Sequence, residues 1–217
     1  MQSISTSGHK YGLVYPGLGW VVWRDKNYLP ETMSFSVNYL GAEVTQVGLN
    51  FSRPAAQILG QYYQFVRLGF EGYKEIQSNT MKVAEYIHEQ IGKMKPFENY
   101  SKKISNPLFI WYMEPEYEKK AKWTLYDLQD KLRQSGWMVP AYTLPSKLEK
   151  RIVMRVVVRQ GFSRDMADQL LTDIANAVAE QQKLLYPTTT KIAPDNSVKV
   201  HGSVYTHTGT GKHGKLN

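Results

Sequence analysis

The sequence predicts a mixed α/β chain, and three observations carry that expectation. Short runs at 20–23, 108–113 and 152–158 are rich in β-branched and aromatic residues, the composition of strands. Other stretches place apolar residues at three- and four-residue steps, the period of a helix with one buried face. The chain has 217 residues, 42% of them hydrophobic, which is enough to bury a core unaided.

Taken in order, the chain opens on a small-residue turn, Ser3-Ile4-Ser5-Thr6-Ser7-Gly8-His9-Lys10. Trp20-Val21-Val22-Trp23 then reads as a short buried strand. Residues 26–50 read as loop, with Pro30 and a turn at Tyr39-Leu40-Gly41. Arg53-Pro54 opens a long helical pattern, since proline is tolerated in a first turn. Its stripe is Ile58, Tyr62, Phe65, Gly69, Tyr73 and Ile76, followed by Val83, Ala84, Ile87 and Ile91. Residues 97–106 are polar and turn-rich, and 114–122 read as a charged loop after the 108–113 strand. Thr124 with Asp127 resembles a capping box that starts a helix on Leu125, Leu128 and Leu132. Gly136 ends it, and Trp137-Met138-Val139 begins another strand. Ile152 to Val158 is the strongest strand pattern. Ser163 caps a final helix on Met166, Leu170, Ile174 and Val178. Strand, helix, strand, strand and helix over 107–183 make a small α+β domain. From Tyr186 onward no core period remains, and a flexible tail is expected.

Composition excludes several classes. With no cysteine there is neither a disulfide framework nor a cysteine-ligated zinc or iron–sulfur site. No apolar run approaches the ~20 residues of a membrane span, and residues 1–7 lack a secretion pattern. A cytoplasmic location is expected. The net charge of +8 is concentrated in the second half and tail, but Lys and Arg are interleaved with Asp and Glu. A nucleic-acid surface would show a denser basic stripe, so none is expected.

Two residues attract chemistry on their own. Lys10 lies between small residues and just before an apolar strand. Desolvation in such a turn lowers an amine's pKa and makes it nucleophilic, with His9 beside it to donate a hydrogen bond. The plain alternative is a surface turn that contains a lysine, and spacing by itself favours it. Arg155 interrupts the apolar run 152–158. A guanidinium there is costly unless paired, either with an internal acid or with a carboxylate ligand. Arg159 falls on the same strand face and is read as structural. The tail offers weaker patterns. Gly209-Thr210-Gly211-Lys212 lacks the leading glycine of a phosphate loop and has His213 where Ser or Thr is needed. His201, His207 and His213 are evenly spaced but have no carboxylate support, so no metal site is expected.

The segments Ser5-Thr6-Ser7-Gly8-His9-Lys10-Tyr11-Gly12 and Gly17-Leu18-Gly19-Trp20-Val21-Val22-Trp23-Arg24 resemble the pyridoxal-phosphate lysine region of glutamate decarboxylases, within the group II amino-acid decarboxylases. Further blocks agree in order: Tyr39-Leu40-Gly41, Asn50-Phe51-Ser52-Arg53-Pro54, Gln61-Tyr62-Tyr63, Thr124-Leu125-Tyr126-Asp127-Leu128, Gly136-Trp137-Met138-Val139-Pro140-Ala141-Tyr142, and Met154-Arg155-Val156-Val157-Val158-Arg159. The resemblance covers residues 2–183. It implies an aspartate-aminotransferase-like (fold type I) architecture. Residues 1–80 would be the C-terminal part of the large cofactor domain with its linking helix, 81–187 the small domain, and 188–217 the tail.

The resemblance also implies roles. Lys10 matches the lysine that holds pyridoxal 5'-phosphate covalently, with His9 and Ser7 beside the cofactor. Ser52 matches a serine that reaches the cofactor phosphate of a neighbouring subunit, which implies at least a dimer. Tyr39 matches a mobile-loop tyrosine that delivers a proton after carbon dioxide leaves, and 34–45 would form a lid. Arg155 matches the arginine that holds the substrate α-carboxylate. The implied reaction converts L-glutamate to 4-aminobutyrate and carbon dioxide, consuming a proton, as in bacterial acid resistance. A C-terminal histidine such as His207 or His213 would help close the site at higher pH. The family's earlier half carries the phosphate cup, the ring-stacking histidine, the aspartate on the pyridine nitrogen and the side-chain carboxylate contacts. None of these is in the sequence. The expectation is therefore a C-terminal part that is inactive alone and needs the missing N-terminal half as a partner. The alternative is a non-catalytic remnant or split half acting as an interaction module.

Overall fold

The computed structural model describes residues 1–37, 41, 44–47 and 52–183. Among the described residues there are three sheets and four α-helices. Ser3–Ser7 (β1) and Gly19–Trp23 (β2) form an antiparallel ribbon, with Ser5 opposite Val21. Residues 3–7 are thus extended where their small polar side chains predict a turn, because the apolar 19–23 run offers them a ladder. Both strands are largely exposed, with Val21 at 56% and Val22 at 61%. The strand predicted for 20–23 forms, but its predicted burial does not, because among the described residues α1 touches the ribbon only at Trp20 and leaves Val21 and Val22 open.

Ser34–Val37 (β3) and Val44–Val47 (β4) make a second antiparallel ribbon, with Val37 opposite Val44. Antiparallel pairing of Ser34–Val37, where polar and apolar residues alternate, with Val44–Val47 replaces that part of the loop expected for 26–50. Tyr39 lies outside the described residues, as do His201, His207 and His213 and the rest of the expected tail beyond 183.

The helix Ala56–Lys93 (α1) is interrupted at Gly69, whose φ of 58° and ψ of −168° are not helical. Its second half buries Ala84, Ile87 and Ile91, as their spacing predicts. Its first half does not behave as predicted: Ile58, Tyr62 and Phe65 stay exposed. Their period is helical, but among the described residues only Trp20 of β2 meets that face, at Phe65, and it leaves these side chains largely open.

Phe97–Asn99 (β5), Leu108–Met113 (β6), Ala141–Thr143 (β7) and Ile152–Val157 (β8) form a four-stranded antiparallel sheet in the order β5-β6-β8-β7. Side chains alternate along it. Phe109, Trp111 and Met113 of β6, with Met154 and Val156 of β8, face the helices and are buried. The covering layer is the second half of α1 with Leu125–Gln134 (α3) and Arg164–Gln182 (α4). Leu125, Leu128 and Leu132 enter this core with Leu170, Ile174 and Val178. Met166, predicted on the same stripe, is exposed at the start of α4.

Two predicted caps form. The Asp127 carboxylate accepts the Thr124 N–H at 2.7 Å and its hydroxyl at 2.9 Å. Ser163 Oγ accepts the Met166 N–H at 3.2 Å. The stretch expected as a charged loop holds a short helix, Pro115–Lys120 (α2). Proline at its start, Glu116 and Glu118 in the first turn and Lys119 and Lys120 in the last complement the helix dipole. The strand expected at 137–139 begins only at Ala141. The Trp137 N–H is spent on the Leu132 carbonyl at 2.9 Å, closing α3, and Pro140 has no N–H to give a ladder. No helix among the described residues is long and apolar enough to cross a membrane.

Candidate functional site

The turn after β1 is built by its own backbone. Gly8 N–H donates to Leu18 O at 3.0 Å, fastening the turn to the approach of β2. Gly8 O accepts the Val14 N–H at 3.3 Å, and Ser7 O accepts the Lys10 N–H at 3.2 Å. Residues 8–14 thus form a closed loop with Lys10 at its outer side. Gly12 must be glycine, because a Cβ there would collide with the Gly8 backbone and with Gln61 Oε1. The next residue, Leu13, is held at φ 59°, a left-handed conformation that costs a non-glycine residue about 1 kcal/mol.

Lys10 and His9 are exposed on this loop and Ser7 is half-buried beside them. The burial expected of Lys10 is not found: its side chain is exposed to water on the outer side of the loop. Its Nζ makes no ion pair or hydrogen bond among the described residues. A primary amine without an acidic partner, flanked by an imidazole and a hydroxyl, is a donor set that fits an aldehyde-bearing phosphate cofactor. Ser52 lies in an exposed bend just ahead of α1.

The loop is gripped from α1. Gln61 is fully buried, and its Nε2 donates to Gly12 O at 2.8 Å and to Tyr73 Oη at 3.0 Å. Tyr73 Oη donates in turn to Gly12 O at 2.9 Å. Gln61 Oε1 accepts the Trp20 indole N–H at 3.3 Å, so β2 joins the same network. Trp20, Phe65 and Tyr73 pack along it as tilted ring pairs, with ring centroids 5.6 and 5.7 Å apart. Burial pushes the Tyr73 phenol above its ordinary pKa, against a lowering by the Gln61 hydrogen bond. In the sequence Gln61 falls in a block shared with the decarboxylases and Tyr73 in an apolar helix stripe, and neither pattern assigns a role. The available sign was Gly69, a lone glycine inside a helical pattern.

Arg155 sits on β8 opposite Ile110, on the sheet face turned away from the helices. It is exposed, which removes the burial cost that the apolar run suggested. Its guanidinium lies 5.8 Å from the Tyr142 ring centre and makes no ion pair among the described residues. The internal acid partner considered for it is therefore not found there. No hydrogen bond, ion pair or ring contact joins Arg155 to the Lys10 loop. An open groove of about 500 Å³ lies between Tyr11 of that loop, Lys82 and Glu85 of α1, and Asn106 and Pro107 ahead of β6. Pro107 O accepts the N–H of Val158, three residues beyond Arg155. Among the described residues no His, Asp or Glu cluster could hold a metal.

Residues 1–112 match the pyridoxal-dependent decarboxylase conserved domain. The chain is 49% identical over 176 residues to a glutamate decarboxylase of Lactococcus lactis subsp. cremoris, covering 81% of this chain and 37% of that protein. It is 46% identical over 184 residues to glutamate decarboxylase 5 of Arabidopsis thaliana, covering 85% and 36%. It thus spans well under half the length of these curated relatives. Among solved structures, glutamate decarboxylase from Lactobacillus brevis superposes with a TM-score of 0.77 at 43% identity, over 85% of this chain and 41% of that one. A cysteine desulfurase from Escherichia coli shares the fold alone, with a TM-score of 0.59 at 16% identity over 83% and 47%. The chain therefore belongs to the group II pyridoxal-dependent decarboxylases, with the fold type I architecture, and pyridoxal phosphate is the cofactor of its family.

Proposed function

We propose that this chain supplies the lysine-bearing part of a glutamate decarboxylase, converting L-glutamate to 4-aminobutyrate and carbon dioxide with uptake of one proton. The observation that carries the reading is the Ser7–Lys10 loop. It presents an unpaired amine beside His9 within the segment that the family shares. When bound, pyridoxal phosphate supplies an electron-withdrawing ring that accepts the electron pair left as carbon dioxide departs. Lys10 would hold it through Nζ, which must be neutral to bond. His9, Ser7 and, from a second copy, Ser52 would contact it. That cross-subunit role makes the working form at least a dimer. Arg155, unpaired on the open sheet face, would fix the substrate α-carboxylate with its planar fork. Tyr39, outside the described residues, would deliver the proton that completes the product.

Residues 1–80 would belong to the cofactor domain, 81–187 to the small domain and 188–217 to the tail, in a cytoplasmic enzyme. The uncovered ribbon and first half of α1 support a need for further chain, because Val21, Val22, Tyr62 and Val66 would be buried by it. The reading is tested by glutamate turnover. The purified chain alone gives none. Co-expression with the preceding part of the Lactococcus relative restores it, and Lys10→Ala in that pair abolishes it. Turnover by the chain alone, or turnover by the Lys10→Ala pair, contradicts it. The second reading, an interaction module without catalysis, rests on the same exposed apolar surface. It gains if the two parts associate stably and no turnover appears.

A further inference from the structure

An unbroken helix would keep Gln61 and Tyr73 apart. Twelve residues at 1.5 Å each separate their backbones by about 18 Å, on faces about 120° apart. That is beyond the combined reach of the two side chains. In this chain Gln61 Nε2 and Tyr73 Oη are 3.0 Å apart, and both meet the Gly12 carbonyl. The break at Gly69 accounts for this. Its φ of 58° and ψ of −168° fall in a region open essentially to glycine alone. No atom lies within 4 Å of where a Cβ would sit, so the demand for glycine is conformational and not steric.

The clamp is fully used. The Gln61 amide makes two donor contacts and one acceptor contact, and the Tyr73 hydroxyl donates once and accepts once. Such a closed network, with Gln61 fully buried at its centre, defines one geometry. What it holds is the carbonyl two residues beyond Lys10, in a loop that already strains Leu13. Stability of the core does not need this arrangement, because the core lies beyond residue 83 and on other elements.

We infer that Gln61 and Tyr73, brought together by the break at Gly69, are positioning residues that fix the Lys10 loop so that its amine meets the cofactor aldehyde in one orientation. The inference rests on the reading of Lys10 as the cofactor lysine. The test compares two lysines within one molecule. The full 217-residue chain, paired with the preceding part of the Lactococcus relative that completes the site, is treated with pyridoxal phosphate and borohydride, and the trapping rate at Lys10 is divided by that at the exposed Lys103. The ratio cancels global changes in folding.

The unmodified chain is expected to give a ratio well above one. Gln61→Met, Tyr73→Phe and Gly69→Ala should each lower it about five-fold, the scale of one lost hydrogen bond. Backbone amides of residues 8–14 should exchange faster in the same variants, with those of β6 and β8 unchanged. Tyr73→Phe keeps the ring against Phe65 and serves if Gln61→Met does not fold. A high ratio that all folded variants retain, even with faster exchange in the loop, overturns the positioning role and leaves the reading of Lys10 standing. A ratio near one in the unmodified chain overturns both.

Discussion

Lys10 and Arg155 are functional candidates whose removal should leave the fold intact, because both are exposed and neither pairs with an acid among the described residues. Surface changes of this kind stay within about 0.5 kcal/mol. Lys10→Ala and Arg155→Ala are therefore expected to unfold in denaturant at the midpoint of the parent chain. A clear loss in either would assign the residue a structural role. Tyr73 carries the pH prediction at this scale. Its phenol is raised above the ordinary value of 10.0 by burial, so the protonated form is favoured in the folded chain. The contribution is full below the ordinary value and is lost only as pH rises through the higher folded value. Amide exchange at 8–14, corrected for intrinsic base catalysis, should thus show constant protection from about pH 5 to 9. Protection that falls within this range would contradict the assignment. The Lys10 motif was legible in the sequence because it is local. The Gln61–Tyr73 pair was not, because the two meet only through a backbone conformation at a third residue.

Among the elements, the best-read were those whose side chains face a covered core. The helix stripe at Leu125, Leu128 and Leu132 and the strand at 152–157 formed where their periods place them. Leu128 is fully buried, so Leu128→Ala should cost about 2–5 kcal/mol in chemical denaturation. Asp127→Ala, which removes the capping acceptor of α3, should cost about 1 kcal/mol. A neutral outcome for Leu128→Ala would sink the proposed core. The elements missed were those set by pairing or end effects. The polar 3–7 stretch becomes a strand because 19–23 lies alongside it, and α2 forms through proline and charge placement without an apolar stripe. The Arg155 expectation failed in one respect for a related reason. An apolar run reads as buried on both faces, whereas the helices pack on one face of this sheet, and on the other face Arg155 is exposed at no burial cost although Val153 beside it is buried.

For the whole molecule, the division is between a closed unit and an uncovered one. The four-stranded sheet with α3, α4 and the second half of α1 buries a continuous core. The ribbon of β1 and β2 and the first half of α1 expose Ile4, Val21, Val22, Leu59, Tyr62 and Val66. Apolar surface on this scale marks an interaction face. The chain alone should self-associate on sizing, and co-expression with the preceding part of a relative should replace that with a defined complex. The central claim is that Lys10 is the cofactor lysine. Peptide mapping by mass spectrometry, after pyridoxal phosphate and borohydride treatment of the chain paired with the preceding part of the Lactococcus relative, tests it most directly. The account predicts one dominant adduct at Lys10, while adducts spread evenly over the chain's lysines would contradict it.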